Sequence, residues 1–276
     1  DSVYFSAYQP LKTEIDAGNI PWSKESVTQL YDSVAEEVNK SFPKFMLEAF
    51  NCPSTYGKLI AAGREAVGTK GLFITKKRYA MKIYDLEGEA VDKIKAMGLD
   101  LKRSDTPAYI QNFLSDVLDK VLMGVGEEEI MDFIADFRLE FKKMPGWEKG
   151  SPRRVNKLTE YHSREKRKGK INMPGHVRAA INWNTLKKVY NDKYSMDIID
   201  GQKCIVCKLR DNPMGYTSIA YPTDELRIPD WFKELPFADD EMEATLINKK
   251  LDNLIGVLDW DLGASEADNT FDKLFG

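Results

Sequence analysis

The chain has 276 residues, 42% of them hydrophobic and 30% charged, an ordinary composition for a folded protein that excludes wholesale disorder. Its length suits two domains or one large one. Forty Lys/Arg against 44 Asp/Glu leave a net charge of −4, which excludes a uniformly basic protein, and no run approaches the roughly 18 apolar residues of a membrane span.

The chain opens at Asp1-Ser2 rather than Met, which reads as a processed product or a fragment with something upstream missing. Val3-Tyr4-Phe5-Ser6 alternates apolar and polar side chains, so residues 1–6 are expected to form a strand. Residues 7–22 read as a loop punctuated by Pro10, Gly18 and Pro21. Over residues 26–50 the apolar positions Val27, Leu30, Tyr31, Val34, Val38, Phe42, Phe45, Met46 and Phe50 predict an amphipathic helix, with Pro43 as the point where it could break. Residues 71–86 are β-rich on both sides of a basic centre and predict a hairpin or bent strand with a turn at Glu87-Gly88. Thr106-Pro107 starts a helix over 108–123, and a second runs over 127–143 with Ile130, Phe133, Ile134, Phe137 and Phe141 on one face. Pro145-Gly146 marks a boundary; a helix-like stretch at 175–190 and a small sheet within 196–221 follow.

Charge is sorted along the chain. Residues 149–170 hold nine Lys/Arg against two Glu, and residues 224–276 hold fourteen Asp/Glu against five Lys/Arg. The basic segment, containing Arg153 and Arg154, is irregularly spaced and loop-prone at Gly150, Pro152 and Gly169. Clustered cations displace counterions from nucleic acid, so it reads equally as a phosphate clamp or a solvated surface. Lys76-Lys77-Arg78-Tyr79 sits between β-rich halves, where alternate side chains share a face and could meet one ligand. A basic tip also keeps a strand edge from pairing, so both roles stay open. Cys204 and Cys207 have half a zinc-site spacing without a second pair, and three cysteines in all fit a reducing, cytoplasmic setting. No Gly-x-x-x-x-Gly-Lys, Gly-x-Ser-x-Gly or His-Glu-x-x-His pattern is present, which argues against a self-contained ATPase or hydrolase.

Several segments, in order, resemble the carboxy-terminal part of family B DNA polymerases, above all the replicative enzymes of T-even-like bacteriophages. Asp1-Ser2-Val3-Tyr4-Phe5-Ser6 looks like the end of the palm motif Tyr-Gly-Asp-Thr-Asp-Ser and the strand after it. Gly63-Arg64-Glu65-Ala66 and Lys76-Lys77-Arg78-Tyr79-Ala80 resemble the later palm hairpin that holds the primer terminus. Met97-Gly98-Leu99 with Lys102-Arg103-Ser104-Asp105-Thr106-Pro107 is similar to the palm-to-thumb segment on the primer backbone. Gly175-His176-Val177-Arg178 and Asp211-Asn212-Pro213-Met214-Gly215 fall where the phage thumb has similar strings.

The resemblance implies an α+β fold: a partial palm of antiparallel sheet and helices over 1–105, a mainly helical thumb with a small β-sheet over 106–265, and a tail over 266–276. It implies two-metal nucleotidyl transfer with Mg²⁺, in which Asp1 is catalytic and a metal ligand and Glu65 matches a nearby acidic position; Gly63 stands where those phage enzymes carry a further acid. Lys76, Lys77, Arg78, Tyr79, Arg103, Arg153 and Arg154 are the implied contacts to primer–template DNA, and Phe271, Leu274 and Phe275 the anchors for a sliding clamp. One carboxylate is a poor Mg²⁺ site, so the chain alone is expected to be inactive. It would need an upstream polymerase half with the rest of the palm, the nucleotide-gripping fingers and the exonuclease; deoxynucleoside triphosphates are the implied substrates and host cytoplasm the implied location. The alternative of another class is a non-catalytic DNA- and clamp-binding accessory module.

Overall fold

The computed structural model describes residues 2–57, 59–169 and 171–265. Two compact units emerge among the described residues, one within 2–72 and 80–95 and one within 73–79 and 96–265. The fold is α+β, with two three-stranded antiparallel sheets among the described residues.

In the first unit, residues 2–6 are not a strand, contrary to the alternation of Val3 to Ser6. A strand is held by a neighbour; here Phe5 packs edge-on against Tyr31 at 5.2 Å instead. The expected loop 7–22 contains helix α1, Tyr8–Asp16. Pro10 lies in its first turn, where a missing N–H costs no intrahelical bond. Helix α2, Lys24–Phe50, starts at a reciprocal cap: Ser23 Oγ accepts from the Ser26 N–H at 3.2 Å, and Ser26 Oγ from the Ser23 N–H at 2.9 Å. It runs through Pro43 without breaking and ends at Asn51 in the left-handed conformation. The short helix α3, Ser54–Gly57, packs on that proline, and a Cβ at Gly57 would lie 2.6 Å from Pro43 Cα. Arg64 joins α2 to the first sheet, pairing with Asp32 at 2.6 Å and with the buried Asp85.

That sheet is broader than the hairpin the sequence suggests. β1 (Ala66–Thr75), β2 (Arg78–Leu86) and β3 (Glu89–Met97) pair in that order through two-residue turns at 76–77 and 87–88. β3 is an edge strand of Glu-Ala-Val-Asp-Lys-Ile-Lys-Ala-Met, too polar to read as β from alternation.

In the second unit, helices α4 (Ala108–Met123) and α5 (Glu127–Lys143) appear where the periodicity puts them. Ile110, Phe113, Leu114, Val117 and Leu118 are buried, and the Phe113 and Phe137 rings stack at 3.7 Å. The basic segment is ordered, not a loop: it contains β4 (Ser151–Arg154) and helix α6 (Leu158–Lys168). The cap of α6 comes from a distant residue, Asp200, whose carboxylate accepts from the N–H groups of Leu158 and Thr159. β4 pairs with β5 (Lys203–Lys208), and β5 with β6 (Ser218–Pro222), with Arg153 opposite Cys204 and Val206 opposite Ala220. Helix α7 (Gly175–Val189) follows α6, with Ala179, Ala180 and Trp183 fully buried. Cys204 and Cys207 are buried in β5, where burial pushes the Cys204 thiol up to about 12 and the Cys207 thiol up as well. The chain then passes through α8 (Asp230–Lys233), α9 (Asp239–Glu243), a π-helical turn (Ala244–Asn248) and α10 (Lys249–Ile255).

Lys149, counted by sequence among the surface cations, is 1% exposed. Its Nζ pairs with Asp239 at 3.0 Å and lies 5.1 Å from the Phe141 ring centroid. Asp239→Asn leaves that ammonium buried without a countercharge and should cost about 1–3 kcal/mol in urea unfolding. Lys149→Met removes the buried charge itself and should cost less. An Asp239→Asn variant as stable as the wild type would show that the pair contributes nothing.

Candidate nucleic-acid interface

The expected DNA contacts Lys76, Lys77, Arg78 and Tyr79 occupy the β1–β2 turn and the start of β2, within the second unit. Lys76 and Lys77 are exposed; Arg78 and Tyr79 are half-buried. Tyr79 stacks on Phe73 with centroids 5.6 Å apart and planes 20° apart. Lys77 adopts φ +65, a left-handed conformation that costs an L-residue roughly 1–2 kcal/mol. The neighbour that fixes it is Gly98, itself at φ +67, where an added Cβ would stand 2.3 Å from the Lys77 carbonyl oxygen and 3.1 Å from Arg78 Cγ. Arg78 is anchored as well, donating from Nη2 to the Asn253 carbonyl at 2.8 Å.

Residues 99–106 form the floor beside this tip. Leu99 is buried, and Asp100 begins a 3₁₀ turn, Asp100–Lys102. Asp100 accepts from Asn253 Nδ2 at 3.2 Å and from Lys250 Nζ at 3.4 Å, and Lys250 Nζ also donates to Thr106 Oγ1 at 3.0 Å. Gln111 Nε2 donates to the carbonyls of Arg103 at 3.0 Å and Thr106 at 2.8 Å, fixing the backbone on either side of Asp105.

Two of the expected DNA-binding arginines meet on that acid. Arg103 donates to Asp105 from Nε at 2.9 Å and Nη2 at 3.0 Å, and Arg153 from Nη1 at 2.8 Å. The Arg103 hydrogen bonds, with the Arg153 charge behind them, hold the Asp105 carboxyl at about 2 against its partial burial. His176, near the start of α7, is held below its ordinary value by burial and then by Arg153. Arg154, exposed and next along β4, has its side chain on the opposite face of the strand. Exposed Lys166, Arg167 and Lys168 crowd the C-terminal turn of α6, where cations suit the helix dipole.

Glu65 belongs to the first unit. Its carboxylate accepts from Ser2 Oγ at 3.0 Å and pairs with Lys95, which together hold its pKa below the ordinary carboxylate value, Lys95 foremost. Among the described residues no three His, Cys, Asp or Glu side chains group as a metal site. A magnesium ion needs several oxygens, and Glu65 has both of its own engaged, so the described residues alone do not fit one. Asp1 and the tail residues Phe271, Leu274 and Phe275 lie outside the described residues. No helix among the described residues is long and apolar enough to cross a membrane.

The residues that organise the interface, Asp100, Asp105, Lys250 and Asn253, were not singled out by sequence. Asp105 carried a local signal, two positions after Arg103; Lys250 and Asn253 meet Asp100 across about 150 positions and carried none.

Residues 24–176 match DNA polymerase family B. That stretch is more than half of the chain. The chain belongs to DNA polymerase family B. It is 28% identical over 179 residues to the DNA-directed DNA polymerase of Enterobacteria phage T4, covering 64% of this chain and 18% of that enzyme. With the DNA-directed DNA polymerase of Escherichia phage RB69 it shares 31% identity over 159 residues, 56% of this chain and 17% of the relative. It thus spans under a fifth of the length of these polymerases.

Gly98→Ala should push the Lys77 carbonyl away and dislodge the tip, lowering thermal stability. Lys77→Gly works in the other direction: it relieves roughly 1 kcal/mol of backbone strain, so stability should rise. A Gly98→Ala variant with unchanged melting would exclude the close contact. For Asp105 the folded-state pKa is depressed, so its stabilisation is present above the ordinary value near 3.8 and is lost as pH falls through about 2. The stability advantage of wild type over Asp105→Asn in paired urea curves should therefore be full at pH 6, shrink below the ordinary carboxylate value and be gone only below pH 2.

Proposed function

We propose that this chain is the carboxy-terminal part of a replicative DNA-directed DNA polymerase, with the end of the palm over 1–105, the thumb over 106–265 and a clamp-binding tail over 266–276. Its task is to grip the primer–template duplex, while an upstream polypeptide completes the metal site, selects the nucleotide and carries the exonuclease. Family membership supports the polymerase reading.

The observation that carries the reading is the locking of the basic tip onto the segment that bears Arg103. Gly98 seats the Lys77 carbonyl, Arg78 is tied to Asn253, and Asn253 is tied to Asp100. Lys76, Lys77, Arg103, Arg153 and Arg154 thereby belong to one compact unit. In the proposed complex Lys76, Lys77 and Arg103 bind sugar-phosphate, and Tyr79, braced by Phe73, lies along the primer end. Contacts of this kind read duplex shape rather than base sequence. Arg153, which stands beside Arg103 on Asp105, adds to the Arg103 contact, and Arg154 extends the grip along the product duplex.

Fluorescence anisotropy of a labelled primer–template titrated with salt tests this. Four phosphate contacts predict a log–log slope of roughly −3 to −4, a loss of about a hundredfold between 50 and 200 mM salt. Neutralising Lys76, Lys77, Arg103 and Arg153 together should flatten that slope. Primer extension by the chain alone should be absent and should appear when the upstream part is supplied. Salt-insensitive binding, or a neutralised variant that binds as the wild type does, would overturn the assignment.

A further inference from the structure

We propose that Asp105 is a positioning residue for nucleic acid: it holds Arg103 and Arg153 side by side as a two-pronged receptor for one phosphodiester. The inference rests on the duplex-binding reading above and adds to it an acidic residue that phosphate never touches.

The geometry points this way. Arg103 follows the 3₁₀ turn and Arg153 comes from β4, and their only shared partner among the described contacts is the Asp105 carboxylate, reached by three hydrogen bonds of 2.8–3.0 Å. The acid side chain is 22% exposed, against 59% and 46% for the two arginines, so the carboxylate lies beneath and the guanidiniums face outward. Each guanidinium carries five N–H donors; Arg103 commits Nε–H and one Nη2–H to Asp105, and Arg153 commits one Nη1–H, leaving donors on both. The base is firm, because Gln111 bridges the carbonyls of Arg103 and Thr106 on either side of it.

A bare carboxylate near a phosphate site repels its ligand. Here it also cancels the repulsion between two adjacent guanidiniums, and the triad keeps a net charge of +1. A phosphodiester then meets two oriented forks and does not have to order two long side chains. The two effects have opposite signs, so the sign of the mutational effect decides between them.

The test is primer–template anisotropy at about 0.1 M salt with Asp105→Asn and Asp105→Glu, each alone and in an Arg103→Gln/Arg153→Gln background, with circular dichroism on every variant. Asp105→Asn should weaken binding roughly threefold to tenfold although it makes the chain one charge more positive. Asp105→Glu, which keeps the charge and shifts the forks by a methylene, should also weaken it. Neither change should matter further once both arginines are gone. Equal or tighter binding by Asp105→Asn would make the acid merely a repulsive neighbour and overturn the proposal. A loss that persists undiminished in the double-arginine background would overturn it too, since Asp105 would then act through folding. If the double-arginine variant alone keeps wild-type affinity and salt slope, the underlying interface reading fails instead.

Discussion

The close contact between the Lys77 carbonyl and the Cα of Gly98 sets where the positive charge of the tip can stand. A two-residue hairpin turn with its second residue in the left-handed conformation projects its carbonyl in a fixed direction, and only a residue without a Cβ can receive it at that range. Once the contact forms, Arg78 reaches the Asn253 carbonyl, Asn253 reaches Asp100, and the 3₁₀ turn that leads into Arg103 is held. The backbone strain at Lys77 is thus sustained by neighbours that over-determine it, as strained residues at ligand-facing turns generally are.

Charge in the second unit divides into committed and uncommitted cations. The acidic stretch that follows residue 224 supplies much of the commitment. Asp239 neutralises buried Lys149, Glu243 accepts from buried Arg138 at 2.8 Å, and Asp240 and Glu241 lie within 4 Å of Arg210 and Lys208. The buried pairs are protected from salt, whereas the exposed ones are weak and screened. Lys76, Lys77, Arg154 and the end of α6 remain exposed, so a chain of net charge −4 still presents a local positive surface.

How much of this the sequence disclosed follows from the range of the interactions. Helices α4, α5 and α7 were legible because burial of one face imposes a three-to-four-residue repeat on the chain itself. Helix α6 was not, because its capping acid is Asp200, some forty positions away, and its flanks hold Gly and Pro. Helix α1 was masked by Pro10, which looks like a breaker yet costs nothing in a first turn. Strand β3 was masked by the polarity that an edge position permits. At the interface the basic residues were legible by composition, and the residues that aim them were legible only where they lie close in sequence, as Asp105 does to Arg103. The resemblance to family B polymerases, which rests on ordered short motifs, was accordingly stronger evidence of family than any single charged cluster was of function.

Glu65 shows what a metal ion would have to displace among the described residues. Its depressed pKa keeps it anionic at any pH above the ordinary carboxylate range, so protonation does not limit its availability to a cation; Lys95 does. A divalent ion would have to displace an ammonium from one oxygen and a serine hydroxyl from the other. That exchange is unfavourable for a lone carboxylate and becomes favourable only when further anionic oxygens converge on the same point, because a small hard cation sheds water only for a nearly complete oxygen shell. The described residues bring no such second and third carboxylate to Glu65. The proposed duplex grip needs no such convergence: each phosphate contact would be a single-cation event, additive in its salt dependence, and Lys76, Lys77, Arg103, Arg153 and Arg154 are exposed to make it.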